Sequence, residues 1–402
     1  MDVAVSYDPS HAQLAPASLR SADKVAQIRV FDTMLAAEPF WRRLERGETL
    51  ATPYQRFDLL AAWQHHVGAR TGVRPFIVTG FDGAGEPMFL WPLGLRQLGP
   101  LRIVNFLGSK HANFNVGLWR RDVLATITAD DIRDIFARTA VGSDRADLAA
   151  LFNLPANWDG GANPFVLLPH QASVDSSARV TFDHAAQDVV GTAVSSSSRS
   201  RLRGKERKLE KLPGYRYMQA TTAADIDRLL DRFFTLKSAH MAAQGLTNAF
   251  ADPGVGQFVR EACHCKLADG RRLIELHALE AGGEVLALYG GTEDDYRFSS
   301  MFNTYTPGEN ARYSPGLVLL LHMVTACAQR GTCSFDIGVG RAHYKSFFCR
   351  EPEQLFDVFL PLTPRGRLAA QAFGLSFAAK RMIKEKPALW TAVQKLRRFR
   401  AR

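Results

Sequence analysis

Three short segments gather side chains able to move a proton, hold an anion or orient an acyl group. The first is FDIGVGRAHYKSFF, residues 335–348. Its opening alternation reads as a strand delivering Asp336, and its glycine turn presents Arg341, His343, Tyr344 and Lys345. A carboxylate, a phenol and an ammonium at the C-terminal end of a strand lie where open α/β sheets form ligand crevices. Asp336 can take a proton or orient a nucleophile, Tyr344 can assist, and Lys345 can stabilise negative charge. The same residues could equally cap a turn and pair on the surface.

The second segment is GENARYSPG, residues 308–316, which leads into an apolar helix. A helix start presents unpaired amides and the positive end of the dipole, so Arg312, Ser314 and Gly316 could cradle a phosphate. Simple capping of the helix by Ser314 is the competing explanation. The third is SSSSRSRLRGKERKLEKL, residues 195–212, where a serine run caps a basic helix with a thin Leu202, Leu209 and Leu212 stripe. Arg199, Arg201, Arg203 and Lys205 form either a groove for an anionic substrate or a solvated helix face.

The remainder of the chain must position these groups. A length of 402 residues predicts two domains, and 46% hydrophobic with 22% charged residues predicts a folded core. Residues 1–24 lack periodicity and read as a flexible leader. Then VAQIRVF alternates as a strand, LAAEPFWRRLE has helical spacing, and Thr52-Pro53 opens a second helix through TPYQRFDLLAAWQHHVGA. RPFIVTGF and PMFLWPLGLRQ flank a turn containing Gly85-Glu86, and LIELHALE with VLALYGGTE repeats that hairpin around Gly283-Glu284. The repetition points to a duplicated lobe. The order of strands and helices predicts an α/β architecture.

Cysteines at 263, 265, 327, 333 and 349 are odd in number and confined to the second half, which excludes a regular disulfide framework. Cys263-His264-Cys265 lacks the usual metal-ligand spacer, and no metal is expected. The net charge of +10 concentrates in residues 199–211 and 380–402, leaving a mildly acidic body; DNA binding is not expected. Neither a signal peptide nor a membrane span is apparent, so a cytoplasmic location is expected. From Phe373 onward the chain reads as an amphipathic attachment element, with Leu389, Trp390, Val393, Leu396 and Phe399 as one stripe after Pro387. It could lie on an anionic membrane, or dock on the protein itself.

Together, KLEKLPGYRY, HALEAGGEVLALYGGT, YSPGLVLL and FDIGVGRAHYKSFF resemble the CelD-like acetyltransferases of the GNAT superfamily, which in turn are similar to the Fem aminoacyltransferases. The first half is similar too, through TPYQRFDLLAAW, PMFLWPLGL and LRIVNFLGSKHANFN, so the resemblance covers about residues 25–360. It implies two tandem GNAT-like lobes, 25–190 and a catalytic 191–365, followed by a basic amphipathic tail, 366–402. It also implies transfer of an acetyl or other acyl group from acyl-CoA, a co-substrate and not a bound cofactor, to an amine or other nucleophile in polysaccharide or envelope biosynthesis. The usual pyrophosphate signature of Arg or Gln, two residues, Gly, one residue, Gly or Ala is altered here. Arg312 fits its first position, while Pro315 and Leu317 replace the glycines. Two alternatives stand beside this expectation: an aminoacyl-tRNA-dependent transferase like the Fem enzymes, and a non-catalytic module holding an anionic glycan, lipid surface or RNA. No counterpart of Tyr344-Lys345 follows FLGSKHANFN, which places the chemistry in the second lobe.

Overall fold

The computed structural model describes residues 25–139, 145–340, 342–349 and 352–386. The expected leader 1–24, Arg341 and the stripe from Pro387 onward lie outside these residues.

The first sheet contains β1 (Gln27–Phe31), β2 (Thr49–Leu50), β3 (Arg74–Phe81), β4 (Pro87–Leu98), β5 (Leu101–Phe106), β6 (Leu118–Arg120), β7 (Leu148–Pro155), β10 (His170–Ala172) and β17 (Leu355–Pro361). β8 (Asn157–Trp158) and β9 (Gly161–Ala162) form a separate small hairpin. The second sheet contains β11 (Ser177–Thr181), β12 (Arg216–Gln219), β13 (Glu275–Ala281), β14 (Glu284–Glu293), β15 (Arg297–Tyr305) and β16 (Ser334–Val339). The helices are α1 (Met34–Glu45), α2 (Phe57–Trp63), α3 (Arg121–Leu124), α4 (Ala129–Thr139), α5 (Val189–Ala193), α6 (Ser196–Leu209), α7 (Ala223–Ala243), α8 (Val255–His264), α9 (Pro315–Arg330) and α10 (Pro364–Glu385).

The two sheets share one topology. The first runs β1-β3-β4-β5-β7-β17 and the second β12-β13-β14-β15-β16-β11. In both, every neighbour is antiparallel except one parallel pair, β5 with β7 and β15 with β16. The duplication read from the Gly85 and Gly283 turns thus extends through the whole sheet. Both glycines take positive φ, +80° and +77°, which a hairpin turn requires and a side chain would strain.

Sheet membership crosses the expected boundaries. β11, before residue 190, closes the second sheet, while β17, after the second lobe's site segment, returns to the first. Each lobe is completed by a strand from beyond its own stretch of chain. A continuous apolar core also joins the lobes, from Trp41, Trp91 and Phe165 to Phe233, Phe258 and Phe302.

One helix expectation needs correction. Thr52 does cap, but only the single turn Pro53–Gln55, closed by a Thr52/Gln55 capping box. Arg56 is then extended at ψ 136°, and α2 starts at Phe57. For the tail, the described residues 373–385 take the docking alternative. Phe373 and Phe377 of α10 lie against Phe359, and Phe377 stacks on Phe152 at 5.2 Å, so this part of the tail is docked on the first sheet.

Candidate active site

β15 and β16 are paired over only three residues each, Arg297 with Ser334, Phe298 with Phe335 and Ser299 with Asp336. Beyond that point both strands continue unpaired with each other, to Tyr305 and Val339, so the sheet opens as a fork. Across β15, the register with β14 shifts between Gly290 and Gly291, leaving Met301 as an extra residue. The two glycines allow this, because the Phe302 and Phe298 rings lie over them; a Cβ at Gly290 would meet the Phe302 ring at 2.2 Å. A bulge turns a main-chain group out of the ladder, and this one lies just past the apex of the fork.

Asp336 sits at the apex and is completely buried. Its Oδ1 accepts from the Gly338 amide at 2.6 Å, and its Oδ2 accepts from the Ser177 hydroxyl. Burial pushes its pKa up to about 7, against the pull of Arg297, the Gly338 amide and Lys345. Arg297, also fully buried, is held by Glu353 at 2.7 Å and by the Trp158 face at 4.1 Å. The first lobe contributes to the same region: Asn113 Nδ2 donates to the Ser300 carbonyl at 2.9 Å, and Tyr54 is buried with its hydroxyl unpartnered.

Lys345 folds back beneath the glycine turn. Its Nζ donates to the carbonyls of Gly338, Val339 and Gly340 at 2.6, 3.3 and 2.9 Å, which occupies all three ammonium protons. Burial lowers its pKa, partly opposed by Asp336. Tyr344 lies against the unpaired half of β15, where its hydroxyl accepts from Asn303 Nδ2 at 3.3 Å. Burial raises its pKa, so the phenol stays protonated at neutral pH.

At the mouth of the fork, Ser314 takes φ +51° and its side chain does not cap α9. This corrects the capping expectation: the hydroxyl accepts from Lys205 Nζ at 2.6 Å instead. Open space surrounds Gly316, where an added Cβ would meet nothing within 4 Å. Arg312 is exposed, its guanidinium 5.0 Å from the Tyr313 ring centre.

The basic side chains of α6 do not form one groove. Arg201 lies over Phe347 at 5.5 Å and Lys205 reaches Ser314, so this i,i+4 pair faces the His343–Phe347 turn and the start of α9 respectively. Arg199 pairs with Asp188 at 2.9 Å and, with Arg203, lines a hollow beside Tyr217 and His322. His264 pairs with Asp227 and Cys263 is buried in the core; among the described residues no cluster of metal-ligating side chains occurs.

Sequence reasoning missed Ser177, Tyr54, Asn113, Asn303, Arg297 and Glu353. A lone arginine inside the aromatic strand YRFSSMFNTY was the one available signal, since a charge in a core strand demands a partner.

Residues 196–346, from the start of α6 to the residue after Lys345, match the profile of a family described as acetyltransferase (GNAT) domain. The fold around this matched stretch is mixed α/β. FemX is similar in structure at 10% identity, with a TM-score of 0.56 over 86% of this chain and 100% of that one. A conserved protein of unknown function from Bacteroides thetaiotaomicron is similar at 10% identity and TM-score 0.51, over 83% and 100% of the two chains. The C-terminal domain of a putative lysylphosphatidylglycerol synthetase from Agrobacterium fabrum gives 11% and 0.50, over 86% and 95%. At these identities the likeness concerns the fold. No curated protein matches the chain in sequence.

Proposed function

We propose that the protein is an acyltransferase that takes an acyl group from acyl-CoA and passes it to an amine or other nucleophile at the β15/β16 fork. The observation that carries this reading is the fork itself, with the uncapped start of α9 at its mouth and a carboxylate of near-neutral pKa at its apex. The donor pyrophosphate sits at the Gly316 amide, with Lys205, Arg201 and Arg312 supplying positive charge. The pantetheine chain follows the unpaired edge of β15, and the thioester carbonyl meets the main chain at the Met301 bulge. Asp336 receives the proton lost by the attacking nucleophile, and Tyr344 protonates the departing thiolate. Lys345 acts as a positioning residue, since its ammonium already binds three carbonyls and holds the turn that shapes the fork.

The narrower CelD-like assignment, with polysaccharide or envelope components as acceptors, rests on the quoted sequence segments. Thermal shift with acetyl-CoA, longer acyl-CoAs and free CoA tests the donor. Stabilisation by CoA species that weakens on Arg312→Ala is the expected result. Indifference of the folded wild type to all three would count against the donor assignment and favour an aminoacyl-tRNA donor or a purely binding role.

A further inference from the structure

A second cavity of about 500 Å³ lies between the lobes at the other end of β15. Asp294, which lines it, stands in the turn that joins β14 to β15, where its amide donates to the Arg297 carbonyl, and none of the lining residues belongs to the fork. The volume suits a small organic ligand.

Its charges are unequally satisfied. Glu45 accepts from the Phe57 amide and from Arg42, and Asp58 accepts from Arg42. Asp269 accepts from Arg271, while Asp294 accepts from the Tyr296 and Arg297 amides and the Trp158 indole. All four lining carboxylates therefore have donors. Among the cations, Arg56 stands apart. It is held in the extended link between the Pro53–Gln55 turn and α2, its Nη1 is buried without a partner, and no other hydrogen bond or ion pair holds its guanidinium among the described residues. Burial lowers its pKa. Asp294, Asp269 and Glu45 balance this charge only through space, with no direct pair, and a carboxylate meeting the guanidinium edge other than the enclosed Nη1 would supply one. Lys266 and Arg46 line the exposed rim of the same cavity.

We propose that this inter-lobe cavity is a second binding site, separate from the fork, for a small ligand bearing one carboxylate, which the Arg56 guanidinium receives. Two parallel N–H donors match the two oxygens of a carboxylate. The lining holds Arg42, Arg46, Arg56 and Lys266 against four carboxylates, so it is formally neutral; it accommodates a monoanion and disfavours a phosphate dianion. Arg46 and Arg56 belong to the first lobe and Lys266 to the second, so an occupant bridges the lobes.

The test is calorimetric titration and thermal shift of the full chain with N-acetylalanine, its neutral amide and inorganic phosphate. The acid alone should bind and raise the melting temperature. Arg56→Met should weaken the acid by at least about tenfold, the range for losing a charge-assisted pair, without lowering the unliganded melting temperature or the acetyl-CoA response of the fork. Arg56→Lys, which keeps the charge but loses the paired donors, should bind with intermediate affinity. Equal binding of acid and amide, preference for phosphate, no acid-dependent shift in the wild type, or an Arg56→Met protein that is destabilised yet binds the acid normally would each overturn the assignment. Because binding is read directly, these outcomes do not depend on whether the fork transfers acyl groups.

Discussion

Asp336 shows how burial can bring the titration of an ordinary carboxylate to neutral pH. With its pKa pushed up to about 7, it exchanges a proton near neutrality instead of staying ionised. If it receives the acceptor's proton, turnover should rise with pH through about 7, and Asp336→Asn should lose that limb and about 100-fold in rate. A pH–rate profile of both proteins checks this; an unchanged limb in the variant would move the base elsewhere. Stability carries a second sign. The folded pKa lies above the unfolded value of about 4, so the native state binds the extra proton between these values. Its contribution to stability is present below that window and is lost as pH rises through it. Melting temperatures across the window should therefore shift in favour of Asp336→Asn as pH rises.

At the scale of elements, the decisive arrangement is α6 beside the start of α9. The Ser314 hydroxyl accepts from Lys205 and does not cap the helix. Since the Leu317 and Val318 amides donate to the Ser314 carbonyl, the Gly316 amide is the one left for a ligand in the first turn. Gly316 offers a clean test, because its surroundings are empty and its conformation is helical. Gly316→Ala should leave the unliganded protein as stable or stabilise it by up to about 1 kcal/mol, since alanine favours the helix. It should at the same time weaken acetyl-CoA, because the methyl occupies the approach to the amide. Calorimetry of the variant showing unchanged affinity would place the pyrophosphate away from this turn.

Across the whole molecule, the exchange of β11 and β17 ties the lobes into one cooperative object. α10 adds to it by covering β17 and β7 with Ala369, Phe373 and Phe377. Its outer face leaves Leu368, Leu375 and Met382 exposed, and no helix among the described residues is long and apolar enough to cross a membrane. Removal of everything after Thr363 should lower the melting temperature by several degrees, because it strips an apolar cover from the first sheet. Ending the chain at Lys386 should leave folding intact. That shorter cut is therefore the proper probe for membrane attachment: if the basic residues beyond it anchor the protein, pelleting with anionic liposomes at low salt should drop to background. Equal pelleting would exclude them as the anchor.

The sequence by itself determined what local patterning can determine. Alternation defined the hairpins, the glycine turns revealed their duplication, and the apolar run of α9 with Gly331 at its end defined a buried helix. It also picked out the fork's neighbourhood, because Asp336 and Tyr344-Lys345 follow one strand. The tertiary structure alone decided how those groups are held. Lys345 is paired with carbonyls whose direction depends on the turn, and Asp336 owes its pKa to layers of protein contributed by both lobes. Arg199 and Arg203 part from Arg201 and Lys205 by helical spacing itself, since residues two apart face opposite sides; only the tertiary structure shows which side meets α9. Strand exchange was equally invisible, since β11 and β17 carry patterns that either sheet could accept. Only the pairing of distant segments selects which edge each one closes.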